Sequence, residues 1–172
     1  MKYSVSIITI NYNALKDTVN FLETLQLSMN FSMLDLEVIV VDNASQESPV
    51  EALKKYSWVK VIQAKRNLGF AGGNNLGALE STGDYLFFVN NDTELNLLDL
   101  EELIIQYEQH PEYGMLTPVI KNDDNSIQYA GYTALNTWTG RNKVIDKISS
   151  KTGIIETSYP HGAAMLISKE TM

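Results

Sequence analysis

Apolar positions along the chain follow two periods. Short runs rich in valine, isoleucine and aromatic residues (Val5 to Ile10, Leu36 to Val41, Val59 to Gln63, Tyr85 to Val89) alternate with longer segments whose apolar residues recur every three or four positions. The short runs offer no continuous polar face to solvent, as strands covered on both sides of a sheet require. Between the first two, Leu15, Val19, Leu22 and Leu25 form one stripe with Asp17 and Glu23 off it, so the spacing predicts a helix over 14–29. A short helix is expected over 46–56, with Ser45 as its N-cap and Pro49 in its first turn. The glycine-rich stretch RNLGFAGGNNLG leads into a helix that runs to about Glu80, followed by a turn over Ser81-Thr82-Gly83-Asp84. Leu97 to Gln109 reads as a further helix, closed by His110-Pro111. This alternation predicts an α/β fold: a Rossmann-like, mostly parallel sheet with helices on both faces.

The pattern changes after Gly114. The run MLTPVI reads as one more strand, residues 121–158 are polar and hairpin-like, and Tyr159 to Ser168 ends in a strand-like apolar run. Lys169 to Met172 reads as the beginning of a helix, so the expectation is one domain over 1–172 that is truncated at its C-terminal end.

Composition narrows the chemistry. Thirteen Lys and Arg against 21 Asp and Glu give a formal charge of -8, which argues against the phosphate-neutralising grip that sequence-independent nucleic-acid binding needs. An anionic ligand would need local help from helix N-termini, backbone N–H groups or a bound metal. The absence of cysteine removes disulfides, thiolate-bound zinc and thiol nucleophiles, and fits a reducing compartment. A cytoplasmic protein is expected, free or at the inner face of the membrane. The opening MKYSVSIITI is too short and polar for a signal peptide and reads as a strand. No segment approaches the roughly 20 apolar residues that cross a bilayer.

In open α/β sheets ligands bind outside the carboxyl ends of the strands. Those ends are Asn11-Tyr12-Asn13, Asp42-Asn43-Ala44-Ser45, the approach to Lys65-Arg66-Asn67, and Asn90-Asn91-Asp92. A carboxylate at Asp42 can accept hydrogen bonds from vicinal hydroxyls or from a base N–H, with an N-cap or Asx turn as its ordinary alternative. Tyr12 offers a face for stacking. Gly69, Gly72, Gly73 and Gly77, with Asn67, Asn74 and Asn75, permit close backbone approach or, more plainly, close packing of a helix on the sheet. The stretch is neither a dinucleotide fingerprint nor a P-loop, since G-x-G-x-x-G and Gly-Lys-Ser/Thr are both missing. Asp92, flanked by amides, suits a hard divalent cation, Mg²⁺ or Mn²⁺, that keeps places free for phosphate oxygens. His161-Gly162 reads as an ordinary loop, His110 as a helix terminator, and Tyr132 and Trp138 as hairpin packing or the wall of a groove.

Taken together and in order, VSIITINYN, VIVVDNAS, NLGFAGGNNLG, YLFFVNNDTEL and HGAAMLISKE resemble the family 2 glycosyltransferases, especially rhamnosyltransferase-like members, across nearly the whole chain. The resemblance implies a GT-A fold, with a donor half to about residue 112 and the start of an acceptor half from about 113. It also implies inverting transfer of a hexose or deoxyhexose from a nucleotide-diphospho-sugar to a glycan or lipid-linked acceptor, as in cell-surface polysaccharide synthesis. By position, Asn11 and Tyr12 would lie at the base, and Asp42 with Asn43 at base or ribose. Asn67, Gly69 and Asn74 would shape the donor pocket, Asn90 would sit at the ribose or phosphate, and Asp92 at the metal, while His161 and Gly162 would lie where the donor sugar or acceptor approaches, the ordinary loop being their alternative. Asn90 replaces the first acidic residue of the family's Asp-x-Asp. The family's general base follows the HGAAMLISKE-like segment and is expected beyond Met172; nothing in their spacing promotes Asp123, Asp124, Asp146 or Glu156 to that role. A non-catalytic nucleotide-sugar binding module is the alternative, and an unrelated doubly wound enzyme a third.

Overall fold

The computed structural model describes residues 3–148 and 153–172. Strands β1 (Ser4–Asn11), β2 (Asp35–Asp42), β3 (Val59–Gln63), β4 (Tyr85–Val89) and β7 (Ala164–Ser168) form one sheet in the order β3-β2-β1-β4-β7. Pairing is parallel throughout except at β7, which lies antiparallel beside β4. Helices α1 (Leu15–Met29), α2 (Val50–Leu53), α3 (Gly69–Leu79) and α4 (Leu97–Gln109) complete the layers.

Strand alternation divides the core in two. Ile7, in register with Val38 and Phe87, belongs to the layer that packs against Phe21, Leu22 and Leu25 of α1 and Leu97, Leu100 and Ile104 of α4. Ile8, in register with Ile39 and Phe88, belongs to the opposite layer with Ala78 and Leu76 of α3. Both faces are covered, which is why the strands are continuously apolar. The expected strands β1 to β4 and helices α1 and α4 form within a residue of the sequence reading.

Other expectations are corrected. The helix expected over 46–56 is only Val50–Leu53, with Pro49 at its N-cap position and no side-chain cap. Ser45 is instead drawn to the end of β1, where its hydroxyl accepts from Asn11 Nδ2 and Asn13 N. The glycine stretch does not precede α3; it forms that helix's first turns. A Cβ at Gly77 would lie 2.5 Å from Ile8 Cγ2 and 3.1 Å from Val41 Cγ2. Close packing on the sheet therefore outweighs the poor helix propensity of glycine, about 1 kcal/mol per residue.

MLTPVI is not a strand along its length. Leu116 makes one two-way backbone bridge with Leu166, and Pro118 has no N–H with which to extend a ladder. The run then enters β5 (Ile120–Lys121), which pairs with β6 (Ile127–Tyr129) as a separate hairpin. A second hairpin arm follows, bridged at Tyr132–Val144 and Asn136–Arg141, with Trp138 at its tip 97% exposed. Residues 149–152 of the polar stretch, and Met1 and Lys2 of the opening, lie outside the described residues. Residues 169–171 form a turn, with Thr171 N donating to Ser168 O, where a helix start was expected.

Candidate active site

The carboxyl ends of β1, β2 and β4 and the first turn of α3 surround a cleft of about 320 Å³. Of the sequence candidates, Tyr12, Asn43, Asn67, Gly69, Asn74, Asn90 and Asp92 line it. Sequence reasoning missed Phe70, Ala14, Ile10 and Val89, which add apolar surface, and gave Asn91 no role of its own. Asp92 is the one charged side chain among these lining residues.

Asn11 and Asp42 sit beneath the lining, 1% and 2% exposed. Asn11 Nδ2 donates to Asp42 Oδ1 at 3.1 Å and to Ser45 Oγ at 3.0 Å, while its Oδ1 accepts from Thr18 Oγ1 at 2.9 Å. Its side chain is therefore turned to partners inside the protein and is absent from the cleft lining. Asp42 Oδ1 also accepts from Ser45 N at 3.3 Å, the turn that was its ordinary alternative. Its second oxygen receives no hydrogen bond among the described residues. The chain bends sharply here: Asn13 and Ala44 have φ of 55° and 63°. Asn13 Oδ1 accepts from Gln46 N, locking the two loops together beside the exposed ring of Tyr12.

Asn43 staples β2 to α3. Its Oδ1 accepts from Leu68 N at 2.9 Å, and its Nδ2 donates to Asn67 Oδ1 and Gly69 O at 3.0 and 3.2 Å. Asn67 Oδ1 accepts in turn from Gly69 N, and Gly69 takes φ of 72°, where a Cβ is strained. Asn74, one turn further along, is 7% exposed, and its amide finds no partner among the described residues. That amide stands in the cleft wall and keeps contact with solvent, since Thr9 Oγ1 is the one wholly buried side-chain polar atom without a partner among the described residues.

At the end of β4 the three polar residues separate. Asn90 N donates to Ala163 O at 3.0 Å, tying the turn to the approach of β7. Asn91 Nδ2 donates to Thr18 Oγ1 at 2.9 Å. Asp92 is exposed and makes no hydrogen bond among the described residues. It does not cap α4, whose N-cap is Asn96, accepting from Leu98 N. Among the described residues no group of three or more His, Asp or Glu could hold a metal ion. The donor set at Asp92 fits only a cation that keeps most of its ligands from phosphate oxygens and water, the habit of Mg²⁺.

His161 Nδ1 accepts from Ala163 N, so the neutral ring carries its proton on Nε2. The ring stacks on Tyr132 and tilts against Tyr129, whose phenol is pushed up by burial. Gly162 lies beside Phe70: a Cβ there would stand 3.7 Å from the ring, at ordinary van der Waals distance. This contact brings the segment before β7 to the rim of the cleft. Tyr132 packs between Tyr129 and Tyr159, while His110 stacks on Tyr113 at the end of α4, away from the cleft lining. Trp138, Asp123, Asp124, Asp146 and Glu156 are not among the lining residues either.

The sequence model described as glycosyl transferase family 2 matches residues 6–171. The chain belongs to that family. It is 36% identical over 115 residues to an uncharacterized glycosyltransferase of Haemophilus influenzae, covering 65% of this chain and 37% of that protein. It is 25% identical over 170 residues to the low-salt glycan biosynthesis hexosyltransferase Agl10 of Haloferax volcanii, covering 96% and 52%. Among solved structures, S. aureus TarS 1–349 in complex with UDP-GlcNAc is similar at 25% identity and a TM-score of 0.59, over 72% of this chain and 36% of that one. The mannosyltransferase PcManGT from Pyrobaculum calidifontis, in complex with GDP-Man and Mn²⁺, matches 99% of this chain and 46% of its own at a TM-score of 0.63; at 15% identity it speaks for the fold alone. The chain spans less than two thirds of the length of each. Its sheet is that of the GT-A family 2 glycosyltransferases.

Proposed function

We propose that this family 2 chain binds a nucleotide-diphospho-sugar in the cleft and serves transfer of the sugar, with inversion, to a glycan or lipid-linked acceptor. The observation that carries the reading is the meeting of Tyr12, the Asn74 amide and Asp92 around one cleft at the strand ends, with Asp42 just beneath. The UDP-GlcNAc bound by TarS supports the donor class. Tyr12 would stack on the base, and the open oxygen of Asp42 would accept from base or ribose through a small shift of the loop. Asn67, Gly69 and Asn74 would shape the sugar pocket, with Asn90 toward ribose or phosphate. Asp92 would hold Mg²⁺ or Mn²⁺, which when bound neutralises a pyrophosphate and stabilises the charge that builds on it as the bond to the sugar breaks.

The donor half runs to about residue 112 and the acceptor half begins at about 113. Asp92 is the sole carboxylate in the lining, and on this reading a donor complex forms readily while transfer by these 172 residues is slow. Calorimetric titration with UDP, dTDP and GDP tests the proposal. Binding of one of them that needs Mn²⁺ and weakens at least tenfold in Asp92→Asn is expected. Equal binding with and without Mn²⁺ would overturn the metal role, and no binding of any would overturn the donor reading. Rapid sugar transfer by these residues would show that the base lies within them.

A further inference from the structure

Between the two ends of the cleft runs a line of polar contacts that its lining does not show. Asn91 Nδ2 donates to Thr18 Oγ1 at 2.9 Å, Thr18 Oγ1 donates to Asn11 Oδ1 at 2.9 Å, and Asn11 Nδ2 donates to Asp42 Oδ1 at 3.1 Å. The interior members are sealed from water: Thr18 is 0% exposed and Asn11 is buried with it. Thr18 belongs to α1 and is absent from the cleft lining. Within this line it is the member that joins the end of β4 to the ends of β1 and β2.

The chemistry of its end gives the line a direction. A carboxylate only accepts, so Asn11 must turn its NH₂ toward Asp42 and its carbonyl toward Thr18. The single O–H of Thr18 then goes to Asn11 rather than to Ala14 O, its longer i−4 alternative at 3.2 Å. The lone pairs of that hydroxyl remain to receive the Asn91 NH₂, which also reaches Ala14 O at 3.4 Å. Asn91 therefore keeps Oδ1 free of hydrogen bonds among the described residues, beside Asp92 in the cleft. Each donor in such a line polarises the next, and the low dielectric around Thr18 strengthens the effect.

We infer that Thr18 is a positioning residue that couples Asp42 to the Asn90–Asp92 turn, so that the base end and the phosphate end of the cleft are set as one unit. The coupling itself is a property of the free protein; its bearing on donor binding rests on the function proposed above.

Two measurements test it, one without ligand. In amide NMR spectra, Asp42→Asn is expected to shift the Asn91 and Asp92 resonances in the parent protein, to leave them in place in a Thr18→Val background, and to shift them again with Thr18→Ser. Shifts that persist in Thr18→Val overturn the inference. If Thr18→Val does not fold, Asn91→Ala cuts the same line at its outer end: the Asp92 response to Asp42→Asn should vanish, and its persistence overturns the inference. In calorimetry with UDP, dTDP or GDP and Mn²⁺, Thr18→Val should weaken binding by about tenfold, the order expected of coupled neighbours, and Thr18→Ser should restore it. Unchanged binding in Thr18→Val overturns the coupling's role in the site. Thr18-dependent NMR coupling in a protein that binds none of the three would uphold the inference and sink the donor reading instead.

Discussion

At the scale of single residues, polar side chains in and under this sheet fall into those that hold the fold and those that wait. Asn43 holds: replacing it with alanine strands Leu68 N and should lower stability by about 1–3 kcal/mol in urea unfolding. Thr9 contributes nothing comparable. Its hydroxyl is buried in β1 without a partner among the described residues, so Thr9→Val should leave stability unchanged or raise it by about 1 kcal/mol in the same assay. Glu37 holds in a pH-dependent way. Burial pushes its carboxyl up, but hydrogen bonds from the Ser6 hydroxyl and from the Thr82 amide and hydroxyl, with the charge of Lys60, bring it below its ordinary 4.5. A group whose pKa is depressed on folding stabilises above its unfolded value and loses that contribution as pH falls through the folded one. The melting temperatures of the parent and Glu37→Gln should therefore differ most at neutral pH and converge below about pH 4.5. Sequence made Asp42, Asn43 and Asn90 visible because each ends an apolar run. Thr18 was invisible, since a threonine inside a helical stripe carries no local mark of what it faces.

At the scale of elements, β1, β2, β4 and α4 were legible because local pattern and tertiary packing agree there. The glycine stretch was not. Four glycines in eleven residues of α3 oppose helix by propensity, and only the closeness of Ile8, Ile10 and Val41 explains the outcome. Gly77→Ala, which improves intrinsic propensity, should for that reason destabilise the protein by about 1–3 kcal/mol in denaturant unfolding, as overpacked cores do. The α2 region erred in the opposite sense: Ser45 had the right identity for an N-cap, but the end of β1 claimed its hydroxyl. MLTPVI shows the limit set by one residue, since Pro118 leaves β7 with a single bridge on that side.

At the scale of the whole molecule, order should fall away from the centre of the sheet toward the hairpins. Strand β1 lies between two parallel neighbours and is buried almost throughout, so the amides of Ile7 and Ile8 should be among the slowest to exchange with deuterium. Those of the arm around Asn136 to Arg141, held by scattered bridges, should be among the fastest. The architecture was legible from the alternation of elements, but the antiparallel seat of β7 was not, because strand direction leaves no trace in a run as short as AMLIS. The protein has two tryptophans, Trp138 bathed in solvent at the arm's tip and Trp58 half-buried against Tyr56. Native emission should thus be a sum of a red component that iodide quenches and a bluer, shielded one. Anything that comes to rest on the arm will announce itself in the first colour alone.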